Sequence, residues 1–262
     1  MNLGLKERVA IVQGATKGLG LGVAEALAAE GVNLVLTART EADLQRVAGD
    51  LAARHGVRTT WFAADSADLD AIPRLIAAAE STFGRLDILV CNSGGPAPGG
   101  VRQLTAQQWA DASRLVLAAP ALLLQAALPL LEKSDLQRLF IITSSSTRQP
   151  VAGLTLSNVL RPGVVGLVKT LVEELGSTPL RCHSIAPGRF DTDRLKNVIR
   201  VQAERAGKTE AAVKEAMLAS IPAGRLGQPL ELGQLVAFLS SPMADYLNGG
   251  NWILDGGMLR TI

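Results

Sequence analysis

Short, continuous apolar runs alternate along the chain with longer stretches in which apolar residues recur every three or four positions. The runs are RVAIVQ (8–13), NLVLTA (33–38), TTWFAA (59–64), LDILVC (86–91), RLFIIT (138–143), RCHSIA (181–186) and NWILD (251–255). Between the first four lie GLGVAEALAAEG, EADLQRVAGDLAARHG and DLDAIPRLIAAAESTFG, amphipathic stretches with glycine stops. Strands that are apolar at every position, not every second one, are buried on both faces. The pattern therefore predicts an α/β fold, a Rossmann-type doubly wound parallel sheet of about seven strands with helices on both faces. Residues 189–228 break the rhythm with a long polar, helix-forming segment, which reads as a lid or substrate-loop insertion. No Pro/Ser/Gly-rich linker divides the sequence, so residues 1–262 are expected to form a single dinucleotide-binding domain.

Composition narrows the partners. With 48% hydrophobic and 19% charged residues among 262, the chain can bury a large core. Lys plus Arg is 26 against 24 for Asp plus Glu, a balance without the basic footprint of a nucleic-acid binder. Cys91 and Cys182 lie in strand-like surroundings outside any Cys-x-x-Cys pair, as buried thiols in a reducing compartment do. The greasy stretch from Leu115 to Leu131 is interrupted by Pro120, Gln125 and Pro129, which suits a buried or subunit-facing helix better than a membrane span. The start lacks the apolar core of a secretory signal, so a cytoplasmic protein with no membrane partner is expected. His55 ends a helix and His183 sits within a strand; neither has ligands at metal spacing, and no metal is expected.

Chemistry begins at the first strand-to-helix turn. There Gly14-Ala15-Thr16-Lys17-Gly18-Leu19-Gly20 gives a G-x-x-x-G-x-G spacing, whose glycines let the backbone turn tightly and approach a pyrophosphate at a helix N-terminus. An acid at the end of the second strand would bind a free ribose 2′-hydroxyl; here that strand ends Thr37-Ala38-Arg39. Lys17 and Arg39 suit a 2′-phosphate instead, favouring NADP(H) over NAD(H). The alternative is that both are ordinary solvated cations.

Together these features resemble the short-chain dehydrogenase/reductase family, in its one-domain branch that includes 3-oxoacyl carrier-protein reductases. The glycine turn matches the family's T-G-x-x-x-G-x-G with Gln13 for threonine. Asp65, followed by Ser66, matches the acid that meets adenine, and Cys91-Asn92-Ser93-Gly94 matches N-N-A-G. Pro187-Gly188 with Thr192 matches the P-G-x-x-x-T that holds the nicotinamide end, and Asp255-Gly256-Gly257 the closing D-G-G. The resemblance implies cofactor contacts at Gly14, Thr16, Lys17, Gly18, Leu19, Gly20, Arg39, Asp65, Ser66, Asn92, Gly94, Pro187, Gly188 and Thr192, a small-molecule substrate, and a homodimer or homotetramer.

It also exposes a departure. The family's Y-x-x-x-K pair, a phenol tuned by an ammonium one helical turn away, aligns with Ser157 and Arg161, and its helix-four asparagine with Val116. The companion serine persists as Ser144, with Ser145 and Ser146 leaving the register open. Two readings follow. In one, Arg161 is a permanent cation that stabilises a developing oxyanion, Ser144 and Ser157 are hydroxyl donors, and the proton comes from water or substrate. In the other, the loss of the tyrosine and lysine leaves a dinucleotide-binding protein that serves as sensor or assembly partner. Locally, Ser157 also reads as flanking a helix that begins at Pro162, with proline biasing Arg161 out of helical geometry. Arg189 and Arg194 beside Thr192 read either as greeting an acidic substrate group or as plain surface cations. A 3-oxoacyl thioester is the default substrate by resemblance.

Overall fold

The computed structural model describes residues 2–261. Strands β1 (Val9–Gln13), β2 (Asn33–Ala38), β3 (Thr59–Ala63), β4 (Ile88–Cys91), β5 (Gln137–Ile142), β6 (Leu180–Pro187) and β7 (Asn251–Leu254) form one parallel sheet in the order 3-2-1-4-5-6-7. All seven coincide with the apolar runs to within two residues at either end. The order reverses between β1 and β4, where a doubly wound sheet opens a crevice beyond its C-terminal strand ends.

Successive residues of each strand feed opposite layers, which explains why the strands read as unbroken apolar runs. Ala10, Val12, Ile88, Val90 and Phe140 face α1 (Gly18–Ala29), α2 (Glu41–His55) and α9 (Pro229–Ser240). Val9, Ile11, Leu89, Cys91 and Leu139 face α3 (Ile72–Phe83), α5 (Ala119–Leu131) and α6 (Thr155–Leu175). Each fully buried Leu or Ile contributes ~1.5–3 kcal/mol relative to exposure, so both layers are needed to offset the entropy of ordering the chain. The helices α2 and α3 stop at left-handed Gly56 and Gly84, as their sequences predict. Helices α1 and α9 cross closely at two glycines. A Cβ on Gly22 would stand 2.3 Å from the Pro229 carbonyl oxygen, and one on Gly233 2.1 Å from that of Gly22.

Residues 106–131 form one helical run, long and apolar enough by composition to cross a membrane. Its face is instead committed to the core through Leu123, Leu124, Ala127, Leu130 and Leu131. It comprises α4 (Ala106–Ser113), begun by a Thr105–Gln108 capping box, a π-helical turn at Arg114–Ala118, and α5. Within the polar segment 189–228, α7 (Asp193–Ala206) and α8 (Glu210–Ala219) bury Leu195, Ile199, Met217, Ile221 and Leu226 in a small cluster of their own.

The expectation of a helix that starts at Pro162 fails here. Helix α6 does not begin at Pro162; it runs from Thr155 through Pro162 to Leu175. Tertiary contacts fix its start. The Asn158 side chain donates to the Val151 carbonyl and accepts from the Val151 amide, at 2.9 and 3.0 Å. Gly99 further binds the Thr155 amide at 3.2 Å and, by its own amide, the Gly153 carbonyl at 2.7 Å. An interior proline costs a helix ~3 kcal/mol, and burial of Leu156, Leu160, Val164 and Val168 offsets it. Arg161 is therefore helical, on the same face as Ser157.

Candidate active site

The C-terminal edge of β1 carries the glycine turn. A Cβ on Gly20 would fall 2.2 Å from the Gly14 carbonyl oxygen and 2.8 Å from Asn92 Nδ2, so no side chain fits between turn and helix. Asn92, just past β4, props the turn by donating from Nδ2 to the Gln13 carbonyl at 3.2 Å. The Ala15 amide donates to the Thr37 carbonyl at 3.2 Å, tying the turn to the end of β2. Thr192 closes the turn from the other side: its Cγ2 would lie 3.4 Å from a Cβ on Gly18, while its Oγ1 accepts the Leu195 amide and caps α7. Gly188, after Pro187, packs on Asp255, whose carboxylate is occupied by the amides of Gly257 and Leu259. The sequence-predicted residues Gly14, Gly18, Gly20, Asn92 and Thr192 thus meet around one turn. A pyrophosphate would suit this cradle, where glycines without side chains lie beside the N-terminus of α1.

Lys17 and Arg39 are exposed at the ends of the turn and of β2, and neither is ion-paired among the described residues. Glu41 and Asp43 lie in the first turn of α2, where the helix dipole accounts for them. Asp65 follows β3 and is exposed; its Oδ1 accepts the Ala67 amide at 2.8 Å.

A second group converges on the other side of the crevice. Ser66, Asn92, Ser93, Leu115, Val116, Ile142 and Arg161 line one cavity, which joins the nucleotide residues to α6. Val116 sits in the π-helical turn, so the helix bulges at the position of the family's asparagine without the amide side chain. Arg161 is 8% and Ser157 6% exposed. The guanidinium donates from Nε to Ser157 Oγ at 3.1 Å and from Nη1 to the Ile142 carbonyl at 3.1 Å. Ser157 Oγ also lies 3.0 Å from Ser146 Oγ. Of the three serines after β5, it is Ser146 that reaches this pair. Ser144 instead caps the turn at Ser145–Thr147, its Oγ accepting the Ser146 amide at 3.2 Å. Spacing put Ser144 at the family's serine position with Ser145 and Ser146 left open; in the folded turn it is Ser146 that contacts Ser157.

Burial, and then the nearby positive charge of Arg194, lowers the Arg161 pKa to about 10. It remains a cation at neutral pH, with no carboxylate within ion-pairing distance among the described residues. No phenol replaces the missing one, since the chain's lone tyrosine, Tyr246, is fully exposed beyond the turn at Pro242–Ala244. Among residues 2–261 no cluster of His, Cys, Asp and Glu could hold a metal ion.

The family described as "Enoyl-(Acyl carrier protein) reductase" matches residues 14–259. The chain belongs to the short-chain dehydrogenase/reductase family. It is 32% identical to D-beta-hydroxybutyrate dehydrogenase of Cupriavidus necator over 97% of this chain and 98% of that protein. It is 30% identical to the 3-oxoacyl-acyl-carrier-protein reductase FabG of Vibrio cholerae, over 98% and 99% of the two chains. Its fold matches the structure of L-sorbose reductase from Gluconobacter frateurii complexed with NADPH and L-sorbose, with a TM-score of 0.95, 27% identity and full coverage of both chains. Membership accounts for the glycine turn and the sheet order. The Ser157–Arg161 pair departs from the catalytic pair that the sequence resemblance implies.

Proposed function

We propose that this short-chain oxidoreductase uses NADP(H) to reduce a small carbonyl compound, with a serine–arginine pair in place of tyrosine and lysine. The observation that carries the reading is the hydrogen-bonded chain Ser146–Ser157–Arg161, which abuts the cavity shared with Ser66 and Asn92. Gly14, Thr16, Gly18, Leu19 and Gly20 would hold the pyrophosphate, Lys17 and Arg39 the 2′-phosphate, Asp65 and Ser66 the adenine end, and Asn92, Gly94, Pro187, Gly188 and Thr192 the nicotinamide end. The bound nicotinamide supplies the hydride.

The protein's part is electrostatic. Ser157 Oγ accepts from Arg161 Nε and, in this orientation, from the Ser146 hydroxyl, which leaves its single proton to donate to the carbonyl oxygen. As charge builds on that oxygen, the fixed guanidinium stabilises it through Ser157, and Ser144 stands at the rim as a further donor. The guanidinium keeps its proton, so water or the substrate supplies the one that completes the alcohol. Residues 189–228 act as a lid over the cleft, and the chain works in the cytoplasm as a homodimer or homotetramer through the α4–α5 and α6 faces, where Leu122 and Val159 are exposed. A 3-oxoacyl thioester is the default substrate, by similarity to the FabG relative.

The test follows loss of NADPH absorbance with a panel of ketones, quinones and 3-oxoacyl thioesters, alongside calorimetric titration of NADPH and NADH. Reduction of at least one compound, with NADPH bound more tightly than NADH, is the expected result. Failure of folded protein to take up either nucleotide overturns the proposal. The absence of any buried phenol favours a second reading, a dinucleotide sensor or inactive assembly partner, whose signature is tight NADPH binding with no turnover.

A further inference from the structure

Arg194 stands in the first turn of α7, after the Thr192 cap, where the helix dipole disfavours a cation. Although the residue as a whole is exposed, its guanidinium is pressed against Gly95: a Cβ there would fall 2.2 Å from Nη2 and 2.4 Å from Nη1. It thus spans from α7 to the loop after β4, two residues beyond Ser93, which shares the Arg161 cavity. No hydrogen bond or ion pair engages its side chain among the described residues. Asp193, its neighbour, faces Lys196 instead, at 3.6 Å.

Arg161 spends Nε on Ser157 and Nη1 on Ile142, leaving Nη2 without a partner among the described residues. Arg161 thus lines the cavity and Arg194 stands against the Gly95 loop that adjoins it, and neither is ion-paired to a carboxylate among the described residues. Desolvation lowers the pKa of both, and the charge of Arg194 lowers that of Arg161 further. Like charges held together in a partly dry cleft are stabilised by an anion that touches both, and a planar carboxylate matches the guanidinium fork.

We propose that Arg161 and Arg194 together hold a carboxylate of the substrate, so that the chain reduces a small 2-oxo or 3-oxo acid in place of the default thioester. The inference rests on reading this cleft as the reductase site. The anion belongs to the substrate because the phosphate cradle lies around Gly14–Gly20, whereas Arg161 stands on the α6 side beside the hydroxyl that meets the carbonyl. Ser157 Oγ and the Arg161 guanidinium are joined by a 3.1 Å hydrogen bond, so a carbonyl one or two carbons from a carboxylate can engage both.

Steady-state reduction by NADPH would be compared for a 2-oxo acid, a 3-oxo acid and their methyl esters. One of the acids is expected to exceed its ester in kcat/KM by roughly 30-fold or more. Arg194→Met should erase that preference chiefly by raising KM, and Arg194→Lys should recover part of it. Calorimetry of oxalate against the protein–NADPH complex gives a readout that needs no turnover: uptake by the parent, lost in Arg194→Met and in Arg194→Gln, is expected. If neutral ketones are reduced while acids show no advantage and oxalate does not bind, the carboxylate site falls and the reductase reading stands. If oxalate binds through Arg194 but nothing is reduced, the anion site stands and the reductase reading falls. Should Arg194→Met weaken NADPH binding while leaving the acid-to-ester ratio intact, the guanidinium serves the cofactor phosphates and the proposal is overturned.

Discussion

The two edges of the sheet treat their arginines differently. At the edge where the strands begin, Arg8 and Arg85 surround a fully buried Asp87, at 3.1 and 2.5 Å, and Arg8 also pairs with Asp135. Asp87 further accepts the Val9 amide at 2.7 Å and the Ser134 hydroxyl at 2.5 Å, and the buried Arg138 pairs with Asp245. At the edge where the strands end, Lys17, Arg39, Arg161, Arg189 and Arg194 have no ion-pair partner among the described residues. Acids do occur there, but Asp255 is taken by backbone amides and Asp193 by Lys196. An arginine that serves the fold arrives with its carboxylate, because an unpaired buried charge is costly. The cations at the other edge lack that internal answer, and the N-termini of α1 and α7 at the same edge add to the demand for an anion.

The largest effect should come from breaking the paired edge. Asp87→Ala strands two arginines, a buried hydroxyl and a backbone amide, and is expected to destabilise the protein by ~3–5 kcal/mol, read as a lower denaturation midpoint, with little change in NADPH affinity. The counterpart at the open edge is Arg161→Met. Removing an unpaired buried cation should leave stability within about 1 kcal/mol of the parent while turnover falls by roughly 10²–10³-fold. A large loss of stability with unchanged kcat would erase the contrast between the edges.

His183 meets the same problem differently, by staying neutral. It is fully buried on β6, accepts Trp252 Nε1–H at Nδ1 over 3.1 Å, and its pKa is lowered to about 4 by burial and then by the charge of Arg138. The unfolded chain protonates this ring near the ordinary histidine value of 6.5 and the native state does not. The stabilisation is whole above that value and is lost as pH falls from it toward about 4, on the order of 3 kcal/mol in all. His183→Leu should flatten this part of the acid-side stability curve. The smallest effect is expected at the rim: Lys17→Ala with Arg39→Ala should reduce the preference for NADPH over NADH by roughly 10–100-fold, and high salt should mimic part of it. An unchanged preference would return both residues to the status of ordinary surface charges.

The sequence determined the seven strands, their parallel burial and the glycine turn, because each is written in local terms: unbroken apolar runs, 3.6-residue periodicity, and glycines where a Cβ would strike backbone. It also shows a single tyrosine, Tyr246, and puts Ser157 and Arg161 where the resemblance implies a tyrosine and a lysine. Only the tertiary structure decided what stands in their place. Proline at 162 locally argues for a helix start, yet Asn158 gripping Val151 and Gly99 binding Thr155 carry the helix through it and place Ser157 beneath Arg161. The choice of Ser146 over Ser144 depends on a short turn whose shape follows from contacts with α6. The pairing state of an arginine is likewise invisible in sequence, since Asp87 and Arg8 are 79 residues apart and Gly95 and Arg194 have β5 and β6 between them. Distances of that kind are set by strand order, and strand order is a property of the whole packed chain.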